Sequence, residues 1–327
     1  MPERYAGASA GRRHPLLVAT LLVGVAMTFS SAAVAQQEPL SDPAFDPSVA
    51  RPAYARGSGP RTAFDEAHFN YHTAGGRYKA FADLLTSDGY RLSSNRERFS
   101  AAMLRTADLV VIANALGAAD PGDAAASSPA FTEREATSLA EWVRRGGALL
   151  LISDHQPTGA AAQVLATPLG VRMSNATVVD TTAANHLQGY VETNLEFTRA
   201  NGLVKDHAIT RGRDSTERID RVVAFGGQSL KGPHDAVCLL GLGRAAVEVR
   251  PPSRERATPV GDCMALAFPL GRGRVVVTGE AGMLSAQLVT DDGADGKTTH
   301  PWGMNWPGID NRQLALNIAR WLTGALR

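Results

Sequence analysis

Residues 146–155 have the sequence GGALLLISDH: a glycine pair, five apolar residues, and then Ser153, Asp154 and His155. A run of five apolar residues between turn signals is typical of a parallel strand that is buried on both faces of a sheet. Residues 109–113 (LVVIA) repeat the pattern, and the polar residue Asn114 follows them. Two such strands predict an α/β fold built on a parallel sheet.

Strands and helices alternate on both sides of this stretch. Apolar side chains recur every three or four positions in residues 76–87 and 311–326, which predicts amphipathic helices. Thr132 and Glu135 have the spacing of a capping box, which predicts that another helix begins there. Further helices are predicted at 98–106 and 159–169, and further strands at 61–64, 90–92, 263–268 and 274–278. This order predicts a flavodoxin-like or Rossmann-like parallel sheet with helices on both faces.

Two segments depart from the alternation. Residues 36–60 are rich in Pro, Ala, Ser and Gly without periodicity, which predicts a flexible lead-in. Residues 171–260 contain short apolar runs and many turn residues but no long helical pattern. We interpret them as a β-rich insertion or sheet extension within a single α/β domain, residues 61–327.

The first 35 residues have the pattern of an export signal. Arg4, Arg12 and Arg13 precede an apolar stretch at 15–29, and small residues at 31–35 provide an A-x-A cleavage site. The apolar stretch is shorter than the ~20 residues that span a bilayer, which favours cleavage over the alternative of a retained anchor. We therefore expect a periplasmic or secreted protein without stable membrane insertion after signal cleavage.

The charge of the chain argues against a nucleic-acid partner. The full chain has 33 Lys and Arg against 32 Asp and Glu, a formal charge of +1. Residues 1–35 hold three Arg and one Glu, so their removal leaves a charge of −1. Proteins that bind nucleic acids usually carry a basic surplus, and the mature chain has none.

The chain has two cysteines, Cys238 and Cys263, and both lie within apolar runs. In an oxidising compartment, two cysteines on neighbouring strands can form a disulfide. Two buried free thiols are the alternative, because free cysteine is a common small core residue. The sequence leaves both interpretations open.

Polar residues follow the predicted core strands at the edge where open α/β sheets bind their ligands. The candidates for catalytic roles are those that can transfer a proton: Asp65, Glu66, His68, Asp154, His155 and Glu280. The candidates for ligand binding beside them are Asn70, His72 and Asn114. We predict that these side chains gather around a small polar ligand.

A divalent metal site is one interpretation of part of this group. Carboxylate and imidazole suit Zn²⁺ or Mn²⁺, and the candidate ligands are Asp65, His68, His72 and Asp154. Their spacing does not match the H-E-x-x-H pattern of zinc peptidases. The alternative is that Asp and Asn residues cap the neighbouring helices and that a His satisfies buried backbone groups. The sequence names no other cofactor.

The segment 300–311 (HPWGMNWPGIDN) is predicted to be a loop that carries two of the four tryptophans. Exposed Trp beside Asn and Asp suits stacking on a sugar ring, so the candidate ligand-binding residues are Trp302, Asn305, Trp306 and Asp310. The alternative is that the tryptophans close the end of the sheet. Asp310 or Asn311 is also a natural N-cap for the final helix.

Several of these segments resemble the class I glutamine-amidotransferase-like superfamily: 64–68 (FDEAH), 72–76 (HTAGG), 146–155, 271–275 (GRGRV) and 311–321. Within it, the chain is similar to an exported bacterial family of unknown function, and more loosely to trehalose-utilisation-like and gliding-motility auxiliary proteins. The resemblance spans roughly residues 61–327 and implies an amidotransferase-like α/β domain.

The chain departs from that superfamily in its cysteines. A glutaminase of this type needs a Cys on a strand-to-helix elbow, with His and Glu as partners. Cys238 and Cys263 both lie in mid-strand, so thiol-based amide hydrolysis is not expected. Asp154 and His155 occupy comparable ground after a central strand.

Two hypotheses follow. The first is a hydrolase or lyase that acts on a small polar, carbohydrate-like ligand through Asp, His and Glu chemistry. The second is a ligand-binding or scaffold module that has the same fold without catalysis.

Overall fold

The computed structural model describes residues 40–187, 190, 192–250, 252–293 and 296–327. The predicted signal peptide, residues 1–35, lies outside these ranges. Within them, no helix combines the length and the apolar character needed to cross a membrane. The described residues belong to one unit of the chain, Gln37–Arg327.

Strands and helices alternate through the first half of the described chain, and strands dominate the second half. The strands are β1 Leu40–Ser41, β2 Arg61–Asp65, β3 Arg91–Asn95, β4 Leu109–Ala113, β5 Ala148–Ile152, β6 Arg172–Met173, β7 Thr177–Asp180, β8 Asn194–Thr198, β9 Arg221–Phe225, β10 Leu230–Lys231, β11 Val237–Gly241, β12 Ala246–Arg250, β13 Glu255–Ala257, β14 Cys263–Leu270, β15 Gly273–Thr278, β16 Ala286–Gly293 and β17 Gly296–Gly303. The helices are α1 Lys79–Ser87, α2 Ala101–Leu104, α3 Glu133–Arg144, α4 Thr158–Ala166, α5 Ala208–Arg211 and α6 Asn311–Leu322.

Five strands form a parallel sheet in the order β3-β2-β4-β5-β15. Counted by themselves along the chain, these strands lie in the order 2-1-3-4-5, which is that of flavodoxin-like folds. β14 then pairs antiparallel with β15, and β10, β11 and β6 continue the sheet in antiparallel fashion. The predicted parallel sheet is confirmed, and the strands predicted at 263–268 and 274–278 form a hairpin within it.

The strands of the parallel sheet are covered on both faces. Val111 and Leu150 belong to the apolar cluster that contains the buried side chains of α1 and α6. Their neighbours Val110 and Leu149 belong to the opposite cluster, with α2, α3 and α4. Because successive side chains of a strand point to opposite faces, an unbroken apolar run is what a doubly covered strand requires.

Residues 171–260 extend the sheet and add two small ones, as the turn-rich pattern predicted. β7, β12 and β13 form a three-stranded antiparallel sheet, and β8 pairs with β9. Cys238 of β11 and Cys263 of β14 lie on paired strands, with their Cα atoms 5.7 Å apart, and form a disulfide. Of the two interpretations that the sequence left open, the structure therefore shows the disulfide.

Three sequence predictions differ from the structure. The described part of the predicted flexible lead-in contacts the domain: β1 pairs with β16, and Tyr54 donates its hydroxyl to Thr323 at 3.0 Å. The predicted tryptophan loop begins inside β17, which pairs with β16 in a hairpin that the sequence analysis did not recognise. The helix predicted at 98–106 is only the four residues of α2. In each case long-range pairing or packing decided the local conformation.

Candidate functional site

The first group of predicted site residues follows β2, beside β4, where the strand order reverses. Open α/β sheets usually bind ligands at such a switch point. In this protein, side chains occupy the switch point and form hydrogen bonds with one another. His68 Nδ1 lies 2.8 Å from Asp65 Oδ2, and His68 Nε2 lies 2.9 Å from Glu135 Oε1. Asn70 donates to Asp65 Oδ2 at 3.1 Å. We call Asp65, His68, Asn70 and Glu135 the switch-point cluster.

The imidazole of His68 is enclosed. Phe99 and Phe131 contact it with ring centroids 5.1 and 4.3 Å away, and His68 is 1% exposed. Both ring nitrogens are engaged by carboxylates, so neither is available to a substrate or a metal ion. The prediction that Asp65 and His68 are catalytic therefore does not fit their contacts.

The switch-point cluster holds one imidazole between two carboxylates, and Arg98 Nη1 adds a positive charge 3.1 Å from Glu135 Oε2. Burial lowers the pKa of His68, but the hydrogen bonds and charges of Asp65 and Glu135 outweigh it, so the pKa is raised overall. Burial opposes the shift of Glu135, yet hydrogen bonds from Thr132 and His68 lower its pKa to about 2. An imidazolium with two N–H donors between two carboxylates fits these directions. This is a structural ion cluster.

His72 and Asn114 form a separate buried link. Asn114 Nδ2 lies 3.2 Å from His72 Nδ1, and Tyr78 packs against the His72 ring at 4.7 Å between centroids. Burial lowers the pKa of His72 to about 3, so this imidazole is neutral at physiological pH. Asn114 Oδ1 accepts the backbone N–H of Asp154 at 2.9 Å. The pair therefore positions the residue that follows β5.

The second group of predicted residues gathers after β5 and β15, which are adjacent in the sheet. Asp154 and His155 follow β5, and Glu280 follows β15. The Asp154 side chain is 19% exposed and that of His155 is 46% exposed. Asp154 Oδ2 lies 3.4 Å from the backbone nitrogen of Ala281, the residue after Glu280. We call Asp154, His155 and Glu280 the β5–β15 site.

Glu280 is the buried member of the β5–β15 site. Its oxygens accept the backbone N–H groups of Gly282 at 2.5 Å and Met283 at 2.6 Å. Burial and the neighbouring charge of Asp154 raise its pKa well above the usual value, and backbone N–H groups, including that of Phe225, oppose the rise. Glu280 is 1% exposed and bonds to the backbone of the loop after β15. It does not face solvent itself.

His155 is the most exposed member of the β5–β15 site. Its Nδ1 lies 2.8 Å from the carbonyl oxygen of Gln156, which can only accept, so Nδ1 carries the hydrogen. In the neutral imidazole, Nε2 is then the basic nitrogen. It lies 3.8 Å from Asp154 Oδ1.

One loop, residues 225–228, borders every member of the β5–β15 site. The backbone N–H of Phe225 is one of the groups that oppose the rise in the pKa of Glu280. A Cβ atom on Gly226 would lie 3.7 Å from the His155 ring, and one on Gly227 would lie 2.8 Å from Glu280 Cβ. Gln228 donates to the carbonyl oxygen of Asp154 at 2.7 Å. Gly226 and Gly227 adopt positive φ angles of 106° and 136°, which glycine alone adopts readily.

An aromatic cluster adjoins Glu280. The rings of Phe225 and Trp302 lie 4.2 Å apart between centroids, and Trp306 lies 5.8 Å from Phe225. Tyr190, 37% exposed, lies 5.2 Å from Trp306. A Cβ on Gly282 would stand 2.7 Å from Glu280 Oε1 and 3.0 Å from Trp302 Nε1. The aromatic rings and the carboxylates therefore share one boundary.

The other predicted residues lie elsewhere and bond within the protein. Glu66 accepts from Ser94 Oγ at 2.8 Å. Asn305 donates to Asp42 Oδ2 at 2.9 Å. Asp310 occupies the N-cap position of α6, but its carboxylate accepts the N–H groups of Asp220 and Arg221 instead of capping the helix.

The four candidate metal ligands do not converge. Asp65 and His68 bond to each other, His72 bonds to Asn114, and Asp154 belongs to the β5–β15 site. Across the described ranges, no group of three or more His, Cys, Asp or Glu side chains has an arrangement that could hold a metal ion.

Sequence reasoning missed three residues that shape these regions: Glu135 as a partner of His68, Phe225 and Gln228. Glu135 has its predicted capping-box bonds with Thr132, and nothing in its spacing shows that it also reaches His68. The pair Gly226-Gly227 after an apolar strand was the available signal for the loop. The pair lies in the β-rich region, where the strand before it is not followed by a helix, so it does not match the pattern by which the other site residues were selected.

Comparison with known proteins supports the fold. No protein-family model and no curated protein matches the chain. Among solved structures, the mmIFT52 N-terminal domain is similar with a TM-score of 0.54 and 16% identity, over 80% of this chain and 97% of that one.

Two further solved structures are similar at lower scores. A ThuA-like protein from Bacteroides uniformis has a TM-score of 0.39 and 11% identity over 84% of this chain and 93% of its own. A GMP synthase-like protein from Thermoplasma acidophilum has a TM-score of 0.36 and 12% identity over 81% of this chain and 92% of its own. Such low identities concern the fold alone.

Proposed function

We propose that this chain is an exported hydrolase or lyase of amidotransferase-like fold that acts on a small polar, carbohydrate-like ligand at the β5–β15 site. The observation that carries the proposal is the pairing of the accessible Asp154 and His155 with a buried carboxylate, Glu280, behind them. Side chains that transfer protons need access to the ligand and an environment that adjusts their pKa.

The roles of the three residues follow from their contacts. His155 Nε2 takes a proton from a ligand hydroxyl or from an attacking water, and Asp154 stabilises the imidazolium that forms. Glu280 is a positioning residue: it accepts the backbone N–H groups of Gly282 and Met283 and thereby holds the loop after β15 beside Asp154. The aromatic cluster at Phe225, Trp302 and Trp306 provides surface on which a sugar ring can stack.

Thiol chemistry has no part in this proposal. Cys238 and Cys263 form a disulfide between β11 and β14, so neither is a nucleophile. The same disulfide supports export, because disulfides persist in oxidising compartments and are rare in the cytosol of most organisms.

The second candidate is a ligand-binding or scaffold module without catalysis. The observation that favours it is that Asp65, His68, Asn305 and Asp310 use their polar atoms in bonds within the protein. The chemistry of this candidate is then limited to binding at the β5–β15 site.

Glycoside turnover and saccharide binding, measured together, separate the two candidates. The purified protein is incubated with 4-nitrophenyl gluco-, galacto- and mannosides of both anomers, and trehalose binding is followed by calorimetry. We expect nitrophenol release that falls at least ~100-fold in His155→Ala and Asp154→Asn. The control is His234→Ala, an exposed histidine in the β10–β11 loop.

Each outcome has one meaning. Binding without release, lost in Asp154→Asn, supports the non-catalytic module. Neither binding nor release with any of these saccharides rejects the carbohydrate-like ligand. Equal release by the two site variants and by His234→Ala rejects the assigned residues.

The export part of the proposal has its own test. In a bacterial host, N-terminal sequencing of the protein from the periplasmic or culture fraction should begin at Gln36. An unprocessed chain in the cytosolic fraction would contradict export.

A further inference from the structure

A cavity lies in the β-rich extension, lined by residues of β10, β12 and the two segments 242–244 and 258–262. Its volume is about 670 Å³, which is within the range of pockets that hold small organic molecules. None of its lining residues belongs to the β5–β15 site or to the aromatic cluster. We call it the extension cavity.

The walls of the extension cavity are apolar and its charges are few. Leu242, Ala246, Val247 and Val260 provide the apolar surface. Its lining residues include no aromatic ring, so it lacks the stacking surface typical of sugar sites.

The charged lining residues carry both signs and are exposed: Lys231, Arg244 and Asp262. Lys231 follows Leu230 and Asp262 precedes Cys263, and Leu230 pairs with Cys263 where β10 meets β14. None of the three forms an ion pair with another residue in the part of the chain that the structure describes. Two cations and one anion thus face the same space with their charges available.

The backbone around the cavity is fixed. The N–H of Leu242 donates to the carbonyl oxygen of Asp262 at 2.8 Å, and the Cys238–Cys263 disulfide ties the same strands together. The N–H of Val260 donates to the buried Glu248 at 3.0 Å. A Cβ on Gly243 would come within 2.2 Å of Asp180 Oδ2, so this turn is closely packed as well. A preformed cavity binds its ligand at a smaller cost in ordering.

We propose that the extension cavity binds a short peptide with free termini and apolar side chains. Its C-terminal carboxylate pairs with Arg244 and Lys231, its N-terminal ammonium pairs with Asp262, and its side chains lie against Leu242, Val247 and Val260. Charges of both signs around an apolar wall match such a zwitterion better than they match an anion, a cation or a sugar.

The test uses the dipeptide Leu-Leu and two derivatives, N-acetyl-Leu-Leu and Leu-Leu amide, titrated into the purified protein by calorimetry. We expect Leu-Leu to bind and each derivative to bind about three- to fivefold more weakly, the effect of one exposed ion pair. Arg244→Gln should weaken Leu-Leu by a similar factor while leaving the amide unchanged. Asp262→Asn should abolish the difference between Leu-Leu and its acetyl derivative.

Arg56→Gln is the matched control, because Arg56 is exposed and does not line the cavity. Unchanged melting temperatures show that the variants are folded. The proposal is overturned if Leu-Leu gives no binding heat at millimolar concentration, or if Arg244→Gln and Arg56→Gln bind it equally. Equal binding of all three peptides by the unsubstituted protein also overturns it.

Discussion

The switch-point cluster and the β5–β15 site have the same kinds of side chain but opposite surroundings. Each combines carboxylates with an imidazole at the carboxyl ends of parallel strands. In the switch-point cluster, His68 is 1% exposed and both of its nitrogens bond to carboxylates. In the β5–β15 site, the His155 side chain is 46% exposed and its Nε2 is 3.8 Å from Asp154. Polar strand ends therefore serve the fold in one place and are available to a ligand in the other.

The difference arises from the segments that cover the two regions. The loop after β2 folds back against Phe99, Phe131 and the first turn of α3, which brings Glu135 to His68. After β5, the glycines at 226 and 227 lie against His155 and Glu280 and leave the imidazole in contact with solvent. The typical ligand position of an open sheet is thus closed here, and the proposed site lies two strands further along the sheet.

The largest expected effect is on stability, at His68. His68→Ala leaves Asp65 and Glu135 as buried carboxylates without their common partner, and we expect it to lower the free energy of unfolding by about 3–5 kcal/mol. His155→Ala should change it by less than ~0.5 kcal/mol, because the side chain is exposed. Urea denaturation measures both. Similar losses in the free energy of unfolding for the two variants would contradict the proposed distinction between an enclosed and an accessible histidine.

A smaller effect is expected from crowding the β5–β15 site at Gly282. In Gly282→Ala, the new methyl group meets Glu280 Oε1 and Trp302 Nε1, and we expect a loss of about 1–3 kcal/mol together with a change in tryptophan fluorescence. The control is Gly75→Ala, because a Cβ on Gly75 meets nothing within 4 Å. An unchanged spectrum and stability in Gly282→Ala would mean that Glu280 and Trp302 do not share this boundary.

The pH dependence of stability should carry the signature of the switch-point cluster. The raised pKa of His68 stabilises the fold below about pH 6.5, the ordinary His value, and this contribution is lost as the pH rises through the folded value. The lowered pKa of Glu135 stabilises the fold at pH values above the ordinary pKa of Glu. This contribution is lost as the pH falls toward about 2. Stability from the cluster is therefore greatest in mildly acidic solution.

Urea denaturation at pH 5 and pH 8 tests this dependence. We expect lower stability at pH 8 than at pH 5, because the stabilisation from the raised pKa of His68 is lost as the pH rises through its folded value. In His68→Gln the difference between the two pH values should shrink. A variant that keeps the full difference would assign the dependence to other groups.

The smallest effect is electrostatic, between Asp154 and Glu280. Because the charge of Asp154 is one cause of the raised pKa of Glu280, Asp154→Asn should lower that pKa. Carboxyl ¹³C NMR of the labelled protein follows the titration directly. As a control, Asp120→Asn removes an exposed charge whose carboxylate bonds to Gly122. An unchanged titration of Glu280 in Asp154→Asn would show that the two carboxylates are not coupled.

Sequence patterns selected the residues of the proposed β5–β15 site but could not separate them from those of the switch-point cluster. Asp154, His155 and Glu280 were predicted because they follow apolar strands, and β5 and β15 are indeed adjacent. The same rule also selected Asp65 and His68. Which cluster is enclosed depends on Phe99, Phe131 and Glu135, which come from segments distant in sequence and carry no periodic signal of their contacts.

The sequence by itself determined the parallel sheet, the helices that cover it and the edge at which polar residues collect. These features follow from short-range patterns: apolar runs of five residues, three-to-four spacing and a capping box, each of which reflects a local backbone preference. The tertiary structure alone decided that Cys238 pairs with Cys263, that Trp302 lies in a strand and that His155, unlike His68, remains accessible. Those outcomes depend on contacts between residues far apart in the chain, and burial of a polar group is a property of everything that surrounds it.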